Sequence, residues 1–400
     1  MATLVHSYRW VMLALAWTVA FFTYATPFSV PPLLSDIARD LEASFTEIGI
    51  VFALPILMIA IFAPVGGWLV DRIGVRNTTG TAILLVSIGV ASRAVAADLP
   101  SFLTVTAIAG VGWAFMLSNL SKLVGGWFPR RQLGLASGIY ISGASAGISL
   151  ALVLAIPLTD IFSGSWRAIM LFWGLLAFVT TALWFALARE PKTLMIESKS
   201  LAVKSVSSSI VSNWRLWLLA AILFLWNLTF YIETNWFPAF FAWKGASEST
   251  AALISSVLTW VGIPALIIGT LSSDRVGRRK PFLVVTAVVS TISTASLAIT
   301  PLQMDWFAVA AMGVVTYIGF VMCLMLPAEL VEPSSIGRAT GLVLGVAYVG
   351  GVLGPALIGY LRDFTGGFSQ IPTVLAVSSL ILVVLSALMP ETGPKAKIHL

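Results

Sequence analysis

Gly67-Trp68-Leu69-Val70-Asp71-Arg72-Ile73-Gly74-Val75-Arg76 is a charged turn between two apolar runs, and it occurs twice. Asp71, Arg72, Gly74 and Arg76 recur 203 residues later as Asp274, Arg275, Gly277 and Arg279, with the leading glycine displaced by one position to Gly269. The same offset superposes a second stretch. Gly134, Ala136, Gly138, Ala144, Gly147, Leu150, Leu154, Leu158 and Asp160 match Gly337, Ala339, Gly341, Ala347, Gly350, Leu353, Leu357, Leu361 and Asp363, nine identities in 27 positions. Two independent stretches agreeing on one offset identify an internal parallel repeat, an arrangement in which membrane transporters place their solute site at the repeat interface.

Outward from these turns the chain is apolar. Of 400 residues, 58% are hydrophobic and 10% charged, with a mean hydropathy of +0.98. A water-soluble domain carries about 25% charged residues, so this composition suits a bilayer, which a helix of roughly 20 apolar residues crosses. Runs bounded by charge, Gly or Pro predict helices near 9–34, 45–70, 78–97, 101–124, 131–158 and 166–188, then 214–240, 248–271, 280–299, 304–327, 336–361 and 368–389. The expected fold is an all-α membrane protein of twelve transmembrane helices in two six-helix pseudo-repeats, 1–188 and 214–400. A polar linker, 189–213, joins them and carries Ser205-Val206-Ser207-Ser208-Ser209. The first run, about Trp10 to Leu34, is too long for a signal peptide and lacks a small-residue cleavage site.

With the N-terminus inside, 18 of the 23 Lys and Arg fall in cytoplasmic segments, while Arg39, Arg93, Arg167, Lys244 and Arg362 lie outside or in the outer membrane half. Positive-inside bias therefore places both termini in the cytoplasm, as expected of a bacterial inner-membrane protein. The same distribution accounts for the net charge of +6 without a basic patch, and no nucleic-acid partner is expected. The single Cys323 excludes an internal disulfide framework or a cysteine metal cluster.

In the duplicated turn, glycine permits a tight bend and close helix approach, Asp can accept from backbone N–H groups at a neighbouring helix start, and Arg supplies mobile cations. Gly67, Asp71, Arg72, Gly74 and Arg76, with Gly269, Asp274, Arg275, Gly277 and Arg279, are thus candidates for a conformational latch. A loop serving charge bias alone needs neither the Asp nor the glycine spacing. The pattern resembles the G-x-x-x-D-R-x-G-x-R signature of the major facilitator superfamily, over the whole chain. That resemblance implies two bundles rocking about a central cavity, with Asp71 and Asp274 in an inward-side latch.

Within the superfamily, Gly110-Val111-Gly112 through Trp127-Phe128-Pro129, Gly138-Ile139-Tyr140, Arg93, and Tyr231 with Trp236-Phe237-Pro238 are similar to the cyanate and nitroimidazole-type porters. Gly125-Gly126 stand where those porters usually place a basic pair, and the first helix lacks their arginine. Thr106 occupies the place of the fourth-helix arginine of proton-linked drug exporters.

Charge within hydrocarbon is costly and marks function or an interface. Arg93, about 15 residues into the third helix, reads either as a fixed cation for an anionic solute or as an anchor snorkelling to outer headgroups. Glu233 in the seventh helix reads either as a proton-carrying carboxyl, the proton being the candidate coupling ion, or as an interfacial Glu capped by polar neighbours. Lys122 reads as a topology residue. Tyr24, Trp113, Asn119, Tyr140, Asn227, Tyr231, Tyr317 and Tyr348 fall on helices that the resemblance places around the cavity, where aromatics with one polar atom suit a mostly apolar pocket. Packing and interfacial roles fit them equally. The small-residue runs at 137–147 and 341–359 predict close helix packing.

The leading expectation is a monomeric secondary transporter of a small solute, an organic anion or zwitterion, working by alternating access in the lipid bilayer. A proton-driven exporter of lipophilic compounds and a signalling protein on a transporter scaffold are the alternatives. An intramembrane enzyme is disfavoured, because no H-E-x-x-H or G-x-S-x-G occurs and the only histidines are His6 and His399. No G-x-x-x-x-G-K-[ST] loop for nucleotide occurs either, and no cofactor or metal is expected.

Overall fold

The computed structural model describes residues 2–117, 119–129, 132–190, 212–332 and 335–393, all helix and connection. Most of the linker 189–213 lies outside the described residues. Three hydrophilic caps show how local sequence starts the helices: Ser165, Asn213 and Ser247 accept from the backbone N–H of Ala168, Arg215 and Thr250. At C-termini, Gly277 and Gly366 take left-handed backbone at φ +71° and +78°.

The first half comprises α1 (Ala2–Phe28), α2 (Leu34–Asp40), α3 (Phe45–Ser92), α4 (Leu99–Leu117), α5 (Asn119–Trp127), α6 (Leu133–Ile161) and α7 (Trp166–Leu187). The second comprises α8 (Trp214–Trp243), α9 (Glu248–Val276), α10 (Lys280–Ser296), α11 (Leu302–Met325), α12 (Pro327–Leu330), α13 (Ile336–Thr365) and α14 (Ile371–Leu388). Among the described residues, ten helical stretches are long and apolar enough to cross a membrane. One of them, 51 residues over Phe45–Val95, contains two spans, and the shorter apolar Lys280–Ser296 completes the expected twelve.

Several boundaries differ from the sequence reading. The first helix ends at Phe28, followed by a 3-10 turn at Pro31–Leu33 where consecutive prolines remove backbone donors. The second and third spans form one run, α3, bent inside it by Gly74 at φ +83°, ψ +165°. This backbone region is open to glycine and strained for other residues, so the motif glycine breaks the run into two helices that meet at the kink.

The chain divides into two compact units, Met1–Ala43 with Leu54–Val203, and Ser44–Ala53 with Lys204–Leu400. The first nine residues of the second span, Phe45 to Ala53, thus belong to the second unit. In the first unit Met12, Ala16, Val70, Ile83, Phe115 and Trp184 are core; in the second, Leu216, Leu223, Trp226, Met322, Cys323 and Leu382 are. The repeat governs packing as well as sequence. A Cβ added at Gly147 of α6 would lie 2.2 Å from Phe21 O of α1, and one added at its repeat partner Gly350 of α13 would lie 2.1 Å from Phe224 O of α8. Both small-residue runs therefore seat one backbone directly against another, as they predict.

Candidate functional site

Arg93 ends the third span in the 3-10 turn Arg93–Val95 and is 1% exposed. It does not face lipid. Its Nε donates to Thr106 Oγ1 at 3.1 Å, and its guanidinium carbon lies 5.4 Å from the Phe102 ring centroid and 5.9 Å from that of Trp113. Phe102, Thr106 and Trp113 recur at helical spacing along α4 and so share the face that receives the arginine. Behind them Phe102 meets Trp166 edge-on at 5.9 Å, Trp166 Nε1 donates to Asp40 at 3.0 Å, and Asp40 also pairs with Arg167. These contacts hold the guanidinium in place while leaving part of it unsatisfied. Arg93 Nη1 and Trp113 Nε1 are buried without a hydrogen-bond partner, and among the described residues no carboxylate pairs with Arg93.

Glu233, on α8 in the second unit, is 1% exposed, and both carboxyl oxygens are buried without a hydrogen-bond partner. The polar neighbours along the helix bond to its own backbone instead. Asn227 Nδ2 donates to Leu223 O at 3.0 Å, Thr234 Oγ1 to Phe230 O at 2.7 Å, and Asn235 Nδ2 to Tyr231 O at 2.7 Å. Other buried charges are treated differently. Lys244 Nζ reaches fully buried Asp305 at 2.7 Å and Leu297 O at 2.9 Å. A buried charge normally carries such a partner, so Arg93 in the first unit and Glu233 in the second stand out as buried ionisable groups with no ion-pair partner among the described residues.

The remaining sequence candidates group in part. Tyr24 on α1 and Tyr140 on α6 are both half-buried. Phe230 meets Tyr231 at 5.3 Å and Tyr317 at 6.3 Å, both edge-on. Asn119 is fully buried with neither amide atom hydrogen-bonded, and Tyr348 is half-buried on α13.

The duplicated motif makes two different junctions. In the first, Lys122 Nζ reaches Asp71 Oδ1 at 3.0 Å, so Lys122 has a specific partner beyond charge bias. Arg76 donates from Nε to Ala188 O at 2.7 Å and from Nη2 to Phe185 O at 2.6 Å, while Arg72 stacks over Trp68 at 4.9 Å. In the second, Arg279 is 5% exposed and bonds Asp274 at 2.7 Å, Ser273 at 2.8 Å and Glu329 at 3.1 Å. Burial opposes its charge, but the hydrogen bonds it donates to Asp274 and Glu329 and their negative charge outweigh it and hold the guanidinium above its ordinary value. Arg275 lies in the last turn of α9.

Neither motif Asp takes the expected place at a helix start. Glu190 accepts from Val75 N at 2.7 Å and Arg76 N at 2.9 Å, and Glu391 accepts from Arg279 N at 2.6 Å and Lys280 N at 3.3 Å. Carboxylates suit these free N–H groups at the positive end of a helix. Burial pushes the Glu391 carboxyl up, but backbone N–H donors from Arg279, Gly393, Lys280 and Thr392 prevail and hold it below the usual range. The motif glycines also divide: Gly74 and Gly277 adopt positive φ and Gly269 seats against Ile318, whereas Gly67 has open space where a Cβ would be. Glu190, Glu391 and Glu329 escaped the sequence reading. The first two close their halves 201 residues apart, off the 203-residue repeat, and Glu329 matches Gly126 in the first half.

The sequence model of the Major Facilitator Superfamily matches residues 16–244 and 242–399. A transporter named YycB from Bacillus subtilis is 26% identical over 89% of this chain and 87% of its own. A hexuronate transporter of B. subtilis is 23% identical over 84% and 83%, and the cyanate transport protein CynX of Escherichia coli 23% identical over 85% and 87%. In fold, a bacterial homologue of the human lysosomal transporter Spinster, solved inward-facing and unoccupied, superposes with a TM-score of 0.80 at 16% identity, covering 96% of this chain and 97% of that one.

Proposed function

We propose that this chain, which belongs to the major facilitator superfamily and is a multi-pass membrane transporter of small solutes rather than an enzyme, moves a small organic anion or zwitterion by alternating access. The observation that carries this reading is Arg93, buried with no carboxylate partner. An arginine keeps its proton in proteins, and an isolated buried cation is unfavourable unless something neutralises it. A transported anion does so. Two relatives are named for solutes that are anions, hexuronate and cyanate. The proton is the coupling ion on this reading, carried by Glu233, whose buried carboxyl has no hydrogen-bond partner among the described residues. The protein works as a monomer in a bacterial inner membrane, with both termini cytoplasmic.

A thermal-shift screen of purified protein against small anions, monocarboxylates, zwitterions and lipophilic drugs tests the solute class, because a ligand of the folded state raises its melting temperature. Anions should stabilise the protein. Arg93→Lys should keep part of that effect, and Arg93→Gln should weaken affinity by about 30-fold or more, since losing a desolvated charge partner costs roughly 2 to 5 kcal/mol and 1.4 kcal/mol is about tenfold. Unchanged affinity in Arg93→Gln would return Arg93 to a structural role.

A further inference from the structure

We infer that Arg93 and Trp113 form a two-donor subsite for a monoanionic carboxylate, one that discriminates against dianions, with Trp113 as a specificity-determining residue. The inference rests on the anion reading of Arg93. Trp113 is 4% exposed, and its indole N–H, a donor that cannot accept, is buried without a partner. Arg93 Nη1 is in the same condition, and the guanidinium carbon lies 5.9 Å from the Trp113 ring centroid, so the two unpartnered donors belong to side chains in contact. Two neighbouring buried donors without an acceptor are the complement of an oxyanion.

Charge and donor count narrow the class. Arg93 supplies one positive charge, and the neighbours that touch it, Thr106, Phe102 and Trp113, are neutral. A monoanion cancels that charge. A dicarboxylate would leave a second carboxylate in the same buried place, where an unpaired charge is strongly disfavoured. A tetrahedral dianion such as sulfate would meet too few donors for its four oxygens. Thr106 positions the fork by holding Nε, and the two ring faces restrain the guanidinium, so Nη1 remains free to donate.

The experiment measures binding by thermal shift and microcalorimetry on the full-length purified protein, with two matched probe pairs, acetate against malonate and benzoate against phthalate, and sulfate in addition. At least one monocarboxylate should stabilise the wild type, while its dicarboxylate partner and sulfate should bind at least tenfold more weakly. Trp113→Phe keeps the ring and loses only the N–H. It should weaken the monocarboxylate about tenfold and narrow the gap to the dicarboxylate, while Arg93→Gln abolishes binding. Equal stabilisation by mono- and dicarboxylates, or no response to any monocarboxylate, overturns the inference. Wild-type affinity in Trp113→Phe alongside lost affinity in Arg93→Gln removes Trp113 and leaves the anion reading intact. Full affinity in Arg93→Gln removes both.

Discussion

At the scale of single residues, the chain spends its few intramembrane charges in two ways. Lys244 and Asp305 neutralise each other, whereas Arg93 and Glu233 have no oppositely charged partner among the described residues. Charges left unpaired in hydrocarbon lower stability and persist where function requires them. Glu233 can relieve its own cost by taking a proton, which Arg93 cannot. Glu233→Gln imitates the protonated carboxyl and should therefore abolish uphill accumulation of solute in proteoliposomes with an imposed proton gradient, while solute exchange at equilibrium persists. Undiminished uphill transport by this variant would take Glu233 out of the coupling mechanism.

At the scale of elements, one motif written twice builds two junctions of unequal strength. Asp71 and Lys122 are 60% and 39% exposed, so water and salt screen their pairing, and such a bridge is worth roughly 0 to 1 kcal/mol. Arg279 is 5% exposed and bridges Asp274 and Glu329, the latter having only a glycine at the matching place in the first half. Breaking a buried pair costs roughly 3 to 5 kcal/mol, and the low end applies here because Asp274 is 52% exposed. Arg279→Gln should accordingly lower the melting temperature of the detergent-purified protein several times more than Lys122→Gln. Equal shifts would show that the two junctions contribute alike despite their different burial.

At the scale of the whole molecule, the distribution of 18 basic residues against five predicts which loops meet the cytoplasm. In a Cys323→Ala background, Ser369→Cys should react with a membrane-impermeant thiol reagent added to intact cells, and Arg278→Cys should react only after the membrane is opened. Both positions are exposed, and native Cys323 is fully buried, so neither local shielding nor the native thiol confuses the result. Labelling of Arg278→Cys in intact cells would invert the topology.

Sequence alone determined the twelve apolar spans, the internal repeat and the close approach at Gly147 and Gly350, because these follow from solvent compatibility and from a repeat that can be read by counting. It also named Arg93, Trp113 and Glu233, since charge and mixed polarity within hydrocarbon are visible in one dimension. Tertiary structure decided what each of them meets. Thr106 lies 13 residues from Arg93 in the chain and Phe102 nine, yet the antiparallel return of α4 brings them, with Trp113, around one guanidinium. The junctions show the same division: Glu190 is 114 residues from Arg76 and Glu391 is 112 from Arg279, and only folding carries these carboxylates to the helix starts that the motif Asp residues leave free. Apolar length is a property of a segment, whereas the compensation of a charge is a property of whatever the fold places beside it.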